Sequence, residues 1–500
     1  MSLNLILDPW IPVRRAGARE LIRPDQIAEE GVEVLDWPRP DFNLACLELL
    51  IGLVYLAAPP GGTDDWLARK PDPQALRAAL APLAPAFHLL GDGARFLQDI
   101  APLEGEAQSP EMLFIDAAGE NAARKNADLM VKRGRFGALD LPAAAMALYT
   151  LQAHAPAGGA GNRTSMRGGG PLVTLAQPSR PGPAPLWSLV WANVPEGRAL
   201  ADLTELPWMR PAVTSEKGQV RHQREADFSP VEVFFGMPRR LRLVAEGGRI
   251  TGVIQRPYGT NYGLWQHPLS PYYAMKAGEE RLAVHPRPGP QSYRNWMGVS
   301  LAQPEAGQTR WRAGAVATYL DRTDDLNATI LAGGWAMSNM SPLDFIWSEQ
   351  PLFPFGPDAP ETWQAAQLVE AADLASRALM RAAKVALMTG EGTPAEPLRE
   401  AFYQATEAKF RTALRRLVAG QGGAALSADW LRVLRRQSLA QFDALARPQD
   451  YDAIPADVQP FSTRPTMKTL VEARSGLLRT LHGSKIHAAL GLEKPGKEGR

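Results

Sequence analysis

Residues 351–386 read PLFPFGPDAPETWQAAQLVEAADLASRALMRAAKVA, and the change of texture inside this stretch decides the fold. The proline-rich opening, 351–361, suits neither a strand nor a helix interior, because each proline lacks an N–H donor and fixes φ. Beyond it Leu368, Ala372, Ala375, Leu379, Ala382 and Ala386 recur at steps of three and four, the spacing of one helix face. The same spacing in Leu398, Phe402, Ala405, Phe410, Ala413 and Leu417 predicts a second helix. Leu431, Leu434, Phe442 and Leu445, then Met467, Leu470, Leu477 and Leu481, predict two more, with breaks at 389–394, 420–423 and 447–465. Four amphipathic helices joined by modest loops pack as an antiparallel bundle.

Upstream the pattern is mixed. Short β-like runs, NLILD (4–8), PLVTL (171–175), WSLVWANV (187–194) and VEVFFG (231–236), alternate with Gly/Pro punctuation. RRLRLVAEGGRITGVIQ (239–255) reads as a hairpin turning at Glu246, Gly247 and Gly248. A helix is predicted over 41–58, capped by Asp41, with Leu44, Leu47, Ile51 and Val54 on one face. The expected fold class is therefore α+β: a large mixed α/β domain over 1–358, a four-helix bundle over 359–490 and a flexible tail over 491–500.

Composition narrows the function classes. The 500 residues are 45% hydrophobic and 21% charged, with 44 Gly and 44 Pro, which suits an ordered, loop-rich chain of more than one domain. No run reaches the roughly 20 apolar residues that span a bilayer, and the N-terminus carries no basic, cleavable leader, so a cytoplasmic protein with no membrane association is expected. The single cysteine, Cys46, sits in an apolar run and reads as a small core residue. Net charge is only +1, yet residues 361–500 hold 20 Lys and Arg against 15 Asp and Glu, which points phosphate recognition toward the C-terminal end.

A search for chemistry finds little. The seven histidines form no metal-ligand pattern, and neither a nucleophile elbow nor a phosphate-binding GK[ST] loop is present. Asp321, Asp324 and Asp325 have the composition of a Mg²⁺ site but read more simply as a helix-entry turn at the positive end of the dipole. Neither a cofactor nor a catalytic residue is expected. Two segments instead have the composition of nucleic-acid contacts. In 158–170, GGAGNRTSMRGGG, glycines interleaved with Arg163 and Arg167 let a backbone approach a partner while guanidinium groups reach phosphate; a pair of tight turns is the plainer alternative. In 124–137, RKNADLMVKRGRFG, five positive charges within twelve residues suit RNA or DNA phosphates, or simply a solvated surface.

Several ordered segments together resemble one known family. NLILDPWIPVR, DFNLACLELLIGLVYLAAPP, RFLQD (95–99), RGGGPLVT, GLWQHPLSP (263–271) and AGGWAMSNMSPLDF (332–345), followed by the helical tail, resemble the CasA family, the large subunit of the type I-E CRISPR surveillance complex Cascade. The resemblance implies a set of partners: CRISPR RNA, double-stranded target DNA, the backbone, small and tail-end subunits, and a helicase-nuclease, with one copy of this chain per complex in a prokaryotic cytoplasm. It implies a non-catalytic role in which the guide reads the target while this subunit reads the protospacer-adjacent motif (PAM) and helps open the duplex into an R-loop. A generic RNA-binding scaffold, or a Mg-dependent nuclease, is the alternative.

The resemblance also assigns residues. The family's PAM-reading glycine loop falls on Gly159, Ala160 and Gly161, beside Arg163; its PAM lysine falls on Arg256; its wedge hairpin falls on Ser338, Asn339 and Met340. The loop that anchors CRISPR RNA falls on Lys125, Lys132, Arg133 and Arg135, with Arg124 at its start. In the bundle, Arg411, Arg415 and Arg416, and Arg432, Arg435 and Arg436, are candidates for tracking the DNA backbone. The chain departs from the family pattern at Ser338 and Asn339, where Asn and Gln are usual, at Ala160 inside the glycine loop, and in having no cysteines to build the zinc site of some members.

Overall fold

A computed structural model describes residues 2–117, 124, 133–159, 161–223, 231–263, 265–386, 396–445 and 467–493. The chain divides into two units, one of Met1–Gly289 with Trp311–Leu352 and one of Pro290–Arg310 with Phe353–Arg500.

The first unit opens with an antiparallel sheet of β1 (Ile11–Arg15), β2 (Ala18–Ile22) and β3 (Val32–Leu35), with β1 central. Then comes α1 (Pro40–Ala57). The sequence offers one apolar face, but the structure buries Leu44, Leu47, Ile51 and Val54 together with Cys46, Leu49, Leu50 and Leu53, so α1 is a core helix covered nearly all round. It is long and apolar enough to cross a membrane, and most of it lies inside the unit. Burial pushes the Cys46 thiol up to about 12, which leaves it an inert core group. Asp41 is not the cap. Pro40 takes the first turn, Arg39 precedes it, and the Asp41 carboxylate accepts from the Arg39 guanidinium at 2.8 and 2.9 Å.

Beside α1 runs α2 (Leu141–His154), capped by Asp140, which accepts from Ala143 N–H at 2.8 Å. Next are β4 (Val173–Gln177), α3 (Pro185–Ala192), the hairpin β5 (Arg240–Glu246) and β6 (Arg249–Arg256), α4 (Gly314–Arg322), and the long hairpin β7 (Thr329–Ser338) and β8 (Ser341–Pro351). β7 pairs antiparallel with both β4 and β8, leaving β8 at the edge. Gly333 lets β7 pack closely on α1, since a Cβ there would stand 3.0 Å from the Leu44 side chain.

Three expected strands differ. WSLVWANV lies largely in α3, VEVFFG forms the helical turn Val231–Phe235, and NLILD forms a turn bridged at Asn4 to His88. Short runs that are apolar on every side carry neither period, and burial of Trp187, Val190 and Trp191, or of Phe234 and Phe235, is served equally well by a helix. Asp321, Asp324 and Asp325 are likewise at the other end of α4 from the one expected. Asp321 is in the last turn and the others follow it, where the dipole opposes them. Hydrogen bonds offset this: Asp325 accepts from Ser179 N–H and Tyr319 O–H at 2.8 Å each and from Ser179 O–H at 2.5 Å, which makes it a turn-builder.

The second unit is helical: α5 (Pro360–Ala386), α6 (Glu396–Val418), α7 (Ala424–Leu445), α8 (Met467–Leu481) and a short helix Ser484–Ala489. Residues 494–500 of the expected tail lie outside the described residues. The alanine-rich face of α5, Ala371, Ala372, Ala375 and Ala378, is buried and lets neighbouring helices approach closely. Pro290–Arg310 belongs here because it inserts two buried aromatics: Tyr293 stacks on Phe410 at 4.1 Å and donates to or accepts from Thr406 Oγ1 at 2.8 Å, while Trp296 meets the same Phe410 ring edge-on at 5.8 Å. Phe410 is thus the hinge pin of this core, and Phe410→Ala is expected to cost about 3–5 kcal/mol, read as a lower urea midpoint for loss of helical circular dichroism.

Candidate nucleic-acid interface

The glycine-rich segment leaves the end of α2 and returns to β4. Its turn is closed by Asn162 N–H donating to Gly159 O at 2.7 Å and Gly158 N–H to Asn162 O at 3.2 Å. Gly159 and Gly161 are left-handed, at φ +65° and +81°, and Gly159 is exposed with open space around it. Ala160 lies outside the described residues.

Two other elements meet this segment. Tyr258 N–H donates to Gly161 O at 2.9 Å, Gln255 Nε2 to Asn162 Oδ1 at 2.7 Å, and a Cβ on Gly161 would stand 2.7 Å from the Tyr258 ring. Arg256, exposed at the end of β6, is therefore carried to the edge of the glycine turn. The β7–β8 tip arrives at the far end of the same segment, where a Cβ on Gly169 would stand 3.1 Å from Met340 Sδ. Ser338 pairs with Ser341 across a two-residue turn in which Asn339 and Met340 are both left-handed, at φ +46° and +63°. That is type I′ geometry, which fits the twist of a hairpin but disfavours a methionine by about 1–2 kcal/mol. Met340 is nonetheless 45% exposed.

The arginines of the segment are not where composition suggested. Arg163 turns inward and donates from Nε to Ser215 Oγ at 2.9 Å. Arg167 is 4% exposed and pairs with Glu48 at 2.8 Å, so its guanidinium does not extend to solvent from the loop, while Arg163 is half-buried. Glu48 explains this. It is a lone carboxylate in the apolar run of α1, fully buried, and it holds His154 Nε2 through Oε1 at 2.7 Å as well as Arg167 through Oε2. His154 ends α2, just before the glycine segment, and Arg167 stands near its far end; the buried carboxylate thus fastens both. Ser165 N–H to Ala155 O at 3.0 Å and Gly170 N–H to His154 O at 3.1 Å close the same neck. Burial alone would raise the Glu48 pKa, but the Arg167 charge, then His154 and His267, outweigh it and hold the carboxyl far below the usual carboxylate range. His267 goes the other way: burial and then the Arg167 charge push it well below 6.5, and its Nδ1 accepts from Leu269 N–H at 3.1 Å, as a neutral ring can. Sequence reasoning missed this cluster, Tyr258 and Ser215, although a single Glu among apolar helix residues was a readable signal.

The basic loop is only partly described. Lys125 and Lys132 lie outside the described residues; Arg124 and Arg133 are exposed. Arg135 packs over the Phe136 ring at 4.8 Å and lies 3.4 Å from Asp116. After this loop the chain reaches β6, where Leu139 and Ile250 exchange hydrogen bonds at 2.8 Å, while Arg256 ends the same strand about 20 Å away at ~3.3 Å per residue. In the helical unit Arg411 pairs with Glu407 at 2.7 Å over Trp296, Arg416 and Arg432 share Asp429, and Arg435 donates to Leu481 O at 3.0 Å. Arg415 and Arg436 are exposed on α6 and α7. No group of three or more His, Cys, Asp or Glu could hold a metal ion among the described residues.

Comparison with known proteins gives a consistent result. The family model for CRISPR-associated protein Cse1 matches residues 4–441. A CRISPR-associated protein from Thermus thermophilus superposes with a TM-score of 0.72 at 18% identity, over 96% of this chain and 99% of that one. Cse1 from Thermobifida fusca gives 0.65 at 16% identity, over 98% of each chain. A chain of a CRISPR RNA-guided surveillance complex gives 0.66 at 17% identity, over 95% of this chain and 99% of that one. At these identities the structural likeness is one of fold.

Glu48→Gln leaves the Arg167 charge buried without its counterion, and about 3–5 kcal/mol of stability should be lost in urea unfolding of the first unit. His267 adds a pH limb. Its folded pKa is depressed, so the unfolded chain binds the extra proton, and stability is complete above about pH 6.5 and falls as pH drops below it. His267→Asn is expected to flatten that limb, while the loss attributable to Glu48 begins only below about pH 4.3.

Proposed function

The chain belongs to the CRISPR-associated protein Cse1 family, and on that premise we propose that it is the large, non-catalytic subunit of a soluble prokaryotic RNA-guided surveillance complex that reads the PAM of double-stranded DNA. The observation that carries the reading is a convergence. The Arg256–Tyr258 segment meets the glycine turn and Met340 of the hairpin tip meets Gly169 of the same glycine-rich segment, although the three are distant in sequence.

That arrangement suits a minor groove. Gly159 and Gly161 offer backbone without side chains, Arg256 offers a planar donor fork, and Asn339 offers an amide able both to donate and to accept. Minor-groove edges separate A·T from G·C and little more, so several PAM sequences are accepted. Met340, exposed at the tip of a stiff two-stranded hairpin, is the side chain suited to enter a base step and start unwinding into an R-loop, at a cost of a few kcal/mol per step that phosphate contacts and guide pairing offset. The loop at 124–136 anchors the 5′ part of the CRISPR RNA through Lys125, Lys132, Arg133 and Arg135. Exposed Arg415 and Arg436 of the helical unit follow the DNA backbone, and the bound complex recruits the helicase-nuclease. One copy serves each complex, alongside the backbone, small and tail-end subunits.

The test is binding of the reconstituted complex to target duplexes with permissive or scrambled PAM at fixed salt. Wild type is expected to prefer the permissive PAM, and Arg256→Ala and Asn339→Ala each to shrink that preference by about tenfold, within the ~1–3 kcal/mol that a base-edge contact contributes. Equal binding to both duplexes, with salt sensitivity intact, would identify a general RNA-binding scaffold instead.

A further inference from the structure

Arg239, at the start of the β5–β6 hairpin, is a buried charge of the first unit. It is 6% exposed, and no carboxylate approaches it among the described residues. Its neighbours Arg240 and Arg242 show the contrast, since Arg240 pairs with Asp99 at 2.7 Å and Arg242 donates to Asp99 O at 2.8 Å. Arg239 has only neutral company: Nη2 donates to Pro156 O, and Nε is buried without a hydrogen-bond partner. Burial pulls its pKa down to about 10, which still leaves it charged at neutral pH. Holding such a cation away from water without a counterion is costly, and proteins seldom do it without a use.

Its position suggests the use. The main chain of Arg239 is fixed by two hydrogen bonds with Gln152 of α2, at 3.0 Å each, and the buried guanidinium is held by its bond to Pro156 O. Nη1 and Nη2 lie directly beneath Gly158: a Cβ there would stand 2.8 Å from Nη1 and 3.3 Å from Nη2. Only a glycine leaves the guanidinium uncovered on that side, and the next residue, Gly159, adds no side chain of its own. The glycine turn is therefore a thin backbone screen over a fixed, unmatched positive charge.

We propose that Arg239 is the built-in countercharge for one backbone phosphate of the duplex held at the glycine turn, acting through the gap left by Gly158. This rests on the DNA-reading role proposed above and adds a phosphate site that the sequence does not single out. The charge contributes to affinity and to the register of the duplex and carries no base preference, because a phosphate is the same beside every base pair.

The reconstituted complex is titrated with a permissive-PAM target duplex from 50 to 300 mM KCl, comparing wild type, Arg239→Gln and Arg239→Lys, with thermal unfolding of each as a check on folding. For Arg239→Gln the slope of log K against log salt is expected to be shallower by about 0.9, an eightfold change per decade of salt, with the ratio between permissive and scrambled PAM unchanged. Arg239→Lys, which keeps the charge, should keep the wild-type slope. A second measurement needs no variant: neutral methylphosphonates are placed singly along the PAM-proximal duplex, and one position is expected to weaken wild-type binding several-fold. An unchanged slope in Arg239→Gln, or a scan in which no position matters, overturns the proposal even if affinity falls, since a structural role lowers affinity without removing a counterion. Wild type that ignores the PAM removes the functional reading and this site with it; wild type that discriminates while Arg239→Gln keeps its slope removes only the site.

Discussion

A single buried carboxylate organises the first unit. Glu48 sits in the middle of α1, where water is excluded, and an unpaired charge there would cost several kcal/mol. Its two oxygens are taken by His154 and Arg167, and these residues are the two shoulders of the glycine-rich segment. A run with this many glycines loses more chain entropy on ordering than any other composition. The buried ion cluster fixes the neck of the segment from below, and only the tip around Gly159 is left to the solvent. The neighbouring elements then fall into place through local bonds, Tyr258 to Gly161 and Arg163 to Ser215.

The result is a surface whose shape is set by inward-facing charge. Arg163, Arg167 and Arg239 all belong to or underlie the glycine segment, and all three are bonded to the protein beneath it. What faces outward is mostly backbone, with Arg256, Tyr258 and the hairpin tip at its margins. Such an arrangement separates rigidity from contact: the side chains that would otherwise be mobile tethers serve as internal struts, and the groups offered to a ligand are held by β6 and by the β7–β8 hairpin.

Much of this was legible beforehand, and the exceptions have physical causes. The bundle helices and the hairpin at Gly247–Gly248 carried strong periodicity or turn chemistry, and both formed. WSLVWANV did not form the expected strand, because a run this short and apolar does not separate a helical from a strand period. Glu48 was visible as an acid among leucines, but its partners come from positions far along the chain and no spacing rule connects them. Arg239 looked no different from Arg240 and Arg242; only the strand pairing decides which of them meets Asp99 and which is left beneath Gly158. The family resemblance supplied the positions of the glycine loop and of the hairpin tip, while composition alone suggested that Arg167 points outward, which it does not.

The tip of the β7–β8 hairpin has a consequence for anyone engineering this protein. Its turn places two residues with side chains, Asn339 and Met340, in a conformation that glycine adopts freely. An Asn-Gly pair is the standard way to make such a turn, and a redesign guided by thermostability alone would install it here first. The more heat-resistant variant would have discarded the one side chain at that tip that a flexible, apolar contact could use. Conformational strain that survives in an otherwise well-packed hairpin therefore marks a position to be excluded from stabilisation libraries, not one to be corrected.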